Sequence, residues 1–164
     1  MENDKNITVA FTGHRTYSGE AEEALDELLQ VLYMRGYRRF LTGMAWGFDL
    51  AVGRAVMALK ARYEDVELVA VLPYAEFENL FHDEDLALYN AVFEAADERV
   101  VVSEHPSPLS YVRRNDFLVD NASLVVAWWC GSSKGGTAYT VKRAFKKSRE
   151  VINLLLPSQM SLFE

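Results

Sequence analysis

Cysteine is almost missing from this chain, which has Cys130 and no other. A single cysteine cannot form a disulfide within the chain, so a packed core and a reducing, cytoplasmic compartment are expected. Long apolar runs are missing as well, since no stretch approaches the roughly 20 residues that a helix needs to cross a bilayer. The first residues, MENDKNITVAFTG, are polar and acidic and do not resemble a signal peptide. We therefore predict a soluble cytoplasmic protein with no membrane partner.

Positive charge is in deficit, because 17 lysines and arginines face 24 aspartates and glutamates and the formal net charge is -7. Proteins that bind nucleic acid regardless of sequence present a basic surface to the phosphates, so this balance argues against direct nucleic-acid binding. Histidine is also scarce: His14, His82 and His105 are scattered, and Cys130 has no second cysteine at ligand spacing. No metal site is predicted.

The length of 164 residues corresponds to one domain with a sizeable core. Half of the residues are hydrophobic and a quarter are charged, which is the composition of a globular protein. We predict a single domain over residues 1–157 and a short C-terminal tail over residues 158–164.

Short β-branched runs alternate with longer stretches of helical period, a pattern typical of a parallel α/β sheet. Strands are predicted at Ile7–Thr12, Arg39–Thr42, Glu67–Leu72, Arg99–Val102, Leu124–Trp129 and Val151–Leu155. Helices are predicted at Gly19–Arg35 (capped by Ser18), from Asp49 to Arg62, and at His82–Asp97, Ser110–Asn121 and about 138–148. The nearly continuous apolar run at residues 124–129 is expected to be a central strand covered on both faces. The predicted fold is α/β: a three-layer Rossmann-like domain with a mainly parallel central sheet and helices on both faces.

Three junctions between a strand and a helix combine glycine with small or basic residues. They are Thr12-Gly13-His14-Arg15, the Gly43–Asp49 loop and the Gly131–Thr137 loop. Ligands of an open parallel sheet bind outside the carboxyl ends of the strands, where glycines allow close approach and helix N-termini attract anions. Each loop alone is also compatible with a plain turn, but three at one end of a sheet favour a phosphate site. None has the P-loop or GxGxxG spacing, so neither an ATPase nor a dehydrogenase is predicted.

These loops, with the pair Arg114-Asn115, resemble the SLOG superfamily and in particular its YpsA-like branch. The Gly43–Asp49 loop is similar to the SGxAxGxD loop of the DprA family, and residues 133–137 are similar to the phosphate-facing loop of the superfamily. The resemblance covers about Ile7 to Leu155. It implies a bacterial protein that binds a nucleotide or nucleotide-derived ligand and requires no cofactor. The implied ligand residues are Thr12, Gly13, His14, Arg15, Gly43, Ala45, Gly47, Asp49, Arg114, Asn115, Ser133, Lys134, Gly135, Gly136 and Thr137.

One branch of the superfamily, LOG, hydrolyses nucleoside 5'-monophosphates, and its motifs are R-K-x-x-M and G-G-x-G-T-x-x-E. In this chain Arg114 stands at the arginine position, while Asn115 and Leu118 replace the lysine and the methionine. Alignment of the G-T pair places Thr140 at the position of the glutamate. A neutral hydroxyl cannot stabilise an oxocarbenium-like transition state or act as a carboxylate base, so this departure argues against hydrolysis of the LOG type.

The leading hypothesis is therefore a protein that binds or senses a nucleotide-type ligand. An alternative is an N-glycosidase for a nucleoside phosphate or an ADP-ribose type of substrate, in which Asp49 replaces the missing glutamate and Arg114 holds the phosphate. The competing interpretations are that Asp49 caps its helix or binds nearby amides, and that Arg114 is a surface or ion-paired arginine. Further candidates for this carboxylate are Glu76, Glu78, Asp116 and Asp120, although charged residues on helices are usually solvated.

The role predicted for an aromatic residue depends on its place in the predicted fold. Trp46 and Tyr74 fall in loops on the ligand side and are candidates for stacking on a base, whereas Trp128 and Trp129 are predicted in the core. The sequence alone does not assign Tyr111 or Tyr139.

The tail offers a third hypothesis. Gln159, Leu162 and Phe163 fit the Q-x-S-L-F peptides with which bacterial replication and repair proteins dock on the sliding clamp. A DNA-processing adaptor is thus the second alternative, against a tail that folds onto its own domain. Members of the superfamily often self-associate, so a homo-oligomer is compatible with the resemblance.

Overall fold

The structure is a computed structural model that describes residues 2–155. Its strands are β1 (Thr8–Gly13), β2 (Arg39–Thr42), β3 (Glu67–Leu72), β4 (Glu98–Val101), β5 (Leu124–Trp128) and β6 (Glu150–Asn153). Its helices are α1 (Glu2–Lys5), α2 (Glu22–Met34), α3 (Phe48–Arg62), α4 (Asp83–Ala95), α5 (Pro108–Asp120) and α6 (Gly136–Lys146), with a 3-10 turn at Phe77–Leu80. Within these residues, every helix is too short or too polar to traverse a lipid bilayer.

All six strands lie in one parallel sheet in the order β4-β3-β2-β1-β5-β6. The chain builds the sheet outward from β1 to β4 and then returns to the other side of β1 to add β5 and β6. The loops that follow β1 and β5 therefore leave in opposite directions and open a crevice at the carboxyl ends of these strands. The predicted Rossmann-like parallel sheet is confirmed.

The sheet carries a core on each face, which confirms the predicted three layers. On one face α2, α3 and α4 pack against the strands through residues such as Leu29, Leu59 and Val92. On the other face Leu118 of α5 and Ala144 of α6 cover the opposite side of the strands. Every residue of β5 is buried, as predicted for a strand covered on both faces, although it lies one strand from the edge.

The start of α2 differs from the prediction. The helix begins at Glu22 rather than at Gly19, and Ser18 does not cap it. The backbone N–H of Ser18 donates instead to the Glu20 carboxylate, and the N–H of Ala21 donates to the Tyr17 hydroxyl at 3.2 Å. These local bonds stabilise a turn that delays the helix by one turn.

Candidate functional site

A cavity of about 620 Å³ lies at the crevice between the ends of β1 and β5. This volume is within the range of about 300–1,000 Å³ that is usual for small-molecule sites. Its walls are the loop after β1, the loop before α3, one face of α5, and the loop that leads into α6. The predicted residues that line it are Thr12, Gly13, His14, Arg15, Ala45, Asp49, Arg114, Asn115, Lys134, Gly135, Gly136 and Thr137.

Three predicted residues do not line the cavity: Gly43, Gly47 and Ser133. A Cβ at Gly43 would lie 2.8 Å from Arg114 Nη1 and 2.9 Å from Asp49 Oδ2, so this glycine makes room for both side chains. Gly47 has a φ of +83°, and a Cβ there would lie 2.6 Å from the carbonyl oxygen of Arg15. Both glycines therefore allow the close packing behind the cavity, and their predicted contact with a ligand stays a prediction.

Four residues outside the predicted set also line the cavity: Thr16, Tyr111, Leu118 and Cys130. Ser132, which belongs to the predicted Gly131–Thr137 loop, lines it as well. Tyr111 and Leu118 lie three and four residues on either side of Arg114 on α5. Helical spacing from Arg114 would have identified both, because residues three and four apart share one face of a helix.

Arg114 is a buried cation with no carboxylate of residues 2–155 within ion-pair distance. Its side chain is 7% exposed; its Nη1 donates to the carbonyl oxygen of Gly43 and its Nε donates to Asn115 Oδ1 at 2.8 Å. Burial lowers the pKa of the Arg114 guanidinium, and nearby Asp49 opposes this effect. Arg114 is buried and forms no ion pair with any residue in the described range, so its interpretation as a surface or ion-paired arginine is wrong. The hydrogen bonds of Arg114 go to neutral acceptors, and Asp49 offsets its burial only from outside ion-pair distance, so an anion that bonds the guanidinium directly would stabilise it further.

Asp49, in the first turn of α3, is a buried carboxylate with one unused oxygen. Its side chain is 6% exposed, its Oδ2 accepts the N–H of Ala45 at 3.3 Å, and its Oδ1 has no hydrogen-bond partner in residues 2–155. Burial raises the pKa of Asp49 from 3.8 to about 6, against the opposing effect of Arg114. Gly47, not Asp49, is the N-cap of α3, so the interpretation that Asp49 caps its helix is wrong. The interpretation that Asp49 binds a nearby amide holds for Oδ2 but does not account for Oδ1.

Among the residues that the structure describes, Asp49 is the only carboxylate that lines the cavity. Asp116 accepts the Tyr139 hydroxyl at 2.6 Å and pairs with Arg143 at 3.2 Å, and Asp120 also pairs with Arg143. Glu76 and Glu78 belong to the segment around the 3-10 turn and do not line the cavity. The chemistry of a carboxylate in this cavity therefore falls to Asp49.

The N-terminus of α6 forms the wall opposite the β1 loop. It follows Gly135 without a side-chain cap, and its first amides, at Gly136, Thr137 and Ala138, donate to no acceptor in the described chain. Such amides and the helix dipole attract anions. Thr140, at the position of the LOG glutamate, is fully buried and donates its hydroxyl to the carbonyl oxygen of Gly136 at 2.8 Å, so it does not reach the cavity.

Arg15 overhangs the cavity from the loop after β1. Its guanidinium carbon lies 4.2 Å from the ring centroid of Trp46 and 6.0 Å from that of Tyr111. Trp46 and Tyr74, the two predicted base-stacking residues, do not line the cavity. Trp46 packs on Arg15 and Tyr74 is buried, with its hydroxyl 3.4 Å from that of Tyr111.

His14 links the two loops that flank the crevice. The backbone N–H of Cys130 donates to His14 Nε2 at 3.0 Å, which assigns the ring proton to Nδ1. Burial lowers the pKa of His14, so its ring is neutral at neutral pH. It lines the cavity as a neutral group and joins the ends of β1 and β5.

Side chains suited to metal binding do not cluster: residues 2–155 contain no group of three or more His, Cys, Asp or Glu placed to hold an ion. The tail residues Gln159, Leu162 and Phe163 lie outside the described residues. Docking on the sliding clamp and self-association therefore stay predictions from the sequence.

Comparison with known proteins gives a family and a fold. The family model described as the YspA SLOG family matches residues 9–158. The SPbeta prophage-derived protein YoqJ of Bacillus subtilis (strain 168) is 28% identical over 109 residues, which are 59% of this chain and 64% of YoqJ. This chain thus spans less than two thirds of that relative.

Two solved structures share the fold at low identity. DNA processing protein A (DprA) from Streptococcus pneumoniae superposes with a TM-score of 0.64 and 18% identity over 98% of this chain and 56% of that chain. The Moco carrier protein from Chlamydomonas reinhardtii superposes with a TM-score of 0.57 and 17% identity over 96% of this chain and 82% of that chain. This likeness is one of fold alone.

Proposed function

This chain belongs to the YspA SLOG family, and we propose that its cavity binds a small, phosphate-bearing ligand of the nucleotide type, as a binder or sensor of that ligand. The observation that carries the proposal is the charge of the cavity. Arg15, Arg114, Lys134 and the α6 N-terminus line a space to which residues 2–155 contribute a single carboxylate, in a chain whose net charge is -7. A local excess of buried or converging donors is what an anionic ligand requires.

The phosphate end of the ligand is assigned to the α6 N-terminus. The residues at the start of α6 line the cavity together with Lys134, and Asn115 lies close enough that its Nδ2 would be 3.6 Å from a Cβ at Gly136. Arg114 is bonded to Asn115 through Nε, so the buried guanidinium and the helix N-terminus act on one region. Amides, an amide side chain and a guanidinium together suit the several oxygens of a phosphate group.

The other end of the ligand is assigned to Asp49. Its unused Oδ1 accepts hydrogen bonds only, unless the carboxyl is protonated. A ribose hydroxyl or the amino group of a base supplies such a donor, whereas fully ionised inorganic phosphate does not. A ligand with a phosphate group and hydrogen-bond donors therefore satisfies both ends of the cavity.

Thermal unfolding with a panel of AMP, ADP, ATP, NAD, ADP-ribose, cyclic nucleotides and ribose 5-phosphate tests the proposal. A ligand present at about 100 times its dissociation constant adds roughly 2.7 kcal/mol to the stability of the folded state. We expect at least one nucleotide to raise the unfolding temperature, and a panel without any stabilising compound would contradict the proposal.

Two neighbouring arginines on α5 provide a matched pair of variants. Arg114 is buried in the cavity, whereas Arg113 is exposed and donates to Ser103 Oγ at 3.3 Å. R114Q removes a charged donor, so we expect it to weaken ligand binding by about ten- to hundredfold. R113Q is expected to change binding by less than about twofold, because a surface charge outside the cavity contributes little. Equal effects of the two substitutions would remove the phosphate role of Arg114.

Hydrolysis of an N-glycosidic bond is a second candidate function, favoured by Asp49. A buried carboxyl in a cavity, with its pKa raised to about 6 and one free oxygen, suits a general base. In such a reaction water adds to the sugar carbon, the base leaves with a proton, and the sugar phosphate is the second product. Chromatography of the incubated panel separates the two functions, since intact nucleotide supports a sensor and released base supports an enzyme. D49N is expected to abolish any such release.

A further inference from the structure

The two loops that carry Arg15 and Trp46 are packed directly against each other. The backbone N–H of Phe48 donates to the carbonyl oxygen of His14 at 3.3 Å. A Cβ at Gly47 would lie 2.6 Å from the carbonyl oxygen of Arg15, so the loop backbones touch at this point. The stack of Arg15 on Trp46, at 4.2 Å, extends this contact to the side chains. The Arg15 side chain therefore extends from a well-packed backbone and lies beside the well-packed ring of Trp46.

The ring of Trp46 is also held in place by a second aromatic residue. Its ring lies edge-on to that of Phe81, with centroids 5.4 Å apart, and Phe81 is buried among further aromatic rings. Trp46 is half-buried and does not line the cavity. Trp46 is thus fixed in position but does not reach the cavity. Any effect of Trp46 on the cavity is therefore exerted through Arg15, the cavity residue that it contacts.

Arg15 needs such support because its own side chain is exposed. Within residues 2–155 it forms no ion pair, and it lines the cavity mouth. An exposed arginine samples many rotamers and loses that freedom when it binds an anion. Stacking on an indole face restricts the guanidinium before the anion binds. The N–H donors at the edge of the guanidinium remain available to bond the anion.

The ring of Tyr111 lies near two cations, Arg15 and Arg114. The guanidinium carbons of Arg15 and Arg114 lie 6.0 Å and 5.9 Å from the same Tyr111 ring centroid. Two like charges beside one ring repel each other, and an anion that contacts both relieves the repulsion. Arg15 is thus placed to complete the anion site that Arg114 begins.

We propose that Trp46 is a positioning residue, which holds Arg15 over the cavity mouth and thereby sets the affinity for the anionic group of the ligand. This inference rests on the proposed binding of a phosphate-bearing ligand.

Isothermal titration of the full chain tests it, with whichever of AMP, ADP and ADP-ribose binds the wild type most tightly as the probe. R15Q is expected to weaken binding by about tenfold or more. W46L is expected to weaken it by about two- to fivefold, since a cation–π contact at an exposed site is worth about 0.5–1 kcal/mol. W46F keeps an aromatic face and is expected to stay within about 1.5-fold of the wild type.

The decisive measurement is the double variant W46L/R15Q. If Trp46 acts through Arg15, the double variant binds no more than about twofold more weakly than R15Q alone. F93L serves as a control, because Phe93 stacks under Arg99 at 4.7 Å in the same manner but away from the cavity. We expect F93L to bind like the wild type. W46M replaces W46L in the cycle if the leucine variant does not fold.

The outcomes separate this inference from the proposed function. Additive losses in the double variant, or wild-type affinity in W46L, overturn the role of Trp46 while nucleotide binding stands. Wild-type affinity in R15Q also overturns it. A wild type that binds none of the three probes contradicts the proposed function and this inference together.

Discussion

Replacement of Asp49 by asparagine is expected to stabilise the empty protein at neutral pH while it weakens ligand binding. The Asp49 carboxyl is almost fully buried, and its Oδ1 has no partner in the described chain. Ionisation of a buried carboxyl is opposed by loss of hydration, which is the first cause of its raised pKa. Asparagine has nearly the same shape and retains an oxygen that can accept the N–H of Ala45, but it carries no charge.

The magnitude follows from the pKa of Asp49, which burial raises from 3.8 to about 6. One pKa unit corresponds to about 1.4 kcal/mol, so ionisation of Asp49 costs the folded state about 3 kcal/mol relative to the unfolded chain. Since the folded state binds the Asp49 proton more tightly, the stabilising contribution of that proton is complete below pH 3.8 and is lost as the pH rises through 6. The stability advantage of D49N therefore grows with pH, by about 2 kcal/mol between pH 4.5 and pH 7.5.

Urea unfolding of the wild type and D49N across this pH range measures the difference directly. D26N is a matched control, because Asp26 is exposed on α2 and its substitution removes one charge without touching the cavity. We expect no comparable gain in D26N. In D49N, nucleotide binding is expected to fall by about five- to tenfold, because a neutral oxygen is a weaker acceptor than a carboxylate. A pH-independent difference, or a loss of stability at pH 7.5, would refute the reasoning.

Two further substitutions test the walls of the cavity. K134Q is expected to weaken nucleotide binding by about three- to tenfold and to reduce its salt dependence, whereas K147Q, at the far end of α6, leaves both unchanged in the same titration. G43A is expected to lower the free energy of unfolding by about 1–3 kcal/mol, because a methyl group there would lie 2.8 Å from Arg114 Nη1. G136A, whose methyl group would meet only Asn115 Nδ2 at 3.6 Å, is expected to stay within about 0.5 kcal/mol of the wild type in denaturant unfolding.

The sheet was predictable because its signals are local. The strands at residues 39–42 and 67–72 have the predicted bounds, since each is an apolar run that ends at a glycine or a proline. The start of α2 was not predictable from Ser18, because the Ser18 hydroxyl bonds to the Glu20 carboxylate at 3.1 Å and does not cap the helix. The same holds for the site: the glycine loops could be predicted from the local sequence, but the residues that contact them could not. Arg114 reaches the carbonyl oxygen of Gly43, which is 71 residues away in sequence, and no spacing rule gives that contact.

Trp46 shows why side-chain roles at the cavity were harder to predict than its location. A tryptophan in a ligand-side loop suggests stacking on a base, and the sequence contains nothing that favours Arg15 as its partner instead. The pairing depends on the close approach of the β1 loop at Gly47 and on support from Phe81. Both are tertiary contacts, and they direct the aromatic face to an arginine and away from the cavity.

Three features of the cavity are unfavourable for folding by themselves, and one kind of ligand would offset all three. Arg114 is buried without an ion pair, Asp49 has an unused oxygen, and the first amides of α6 donate to no residue in the described range. A structural role alone would favour apolar or paired groups at these positions. A ligand with a phosphate group and a hydrogen-bond donor satisfies all three at once. Substitutions that relieve these costs, as D49N does, are therefore expected to reduce the gain in stability that the ligand confers.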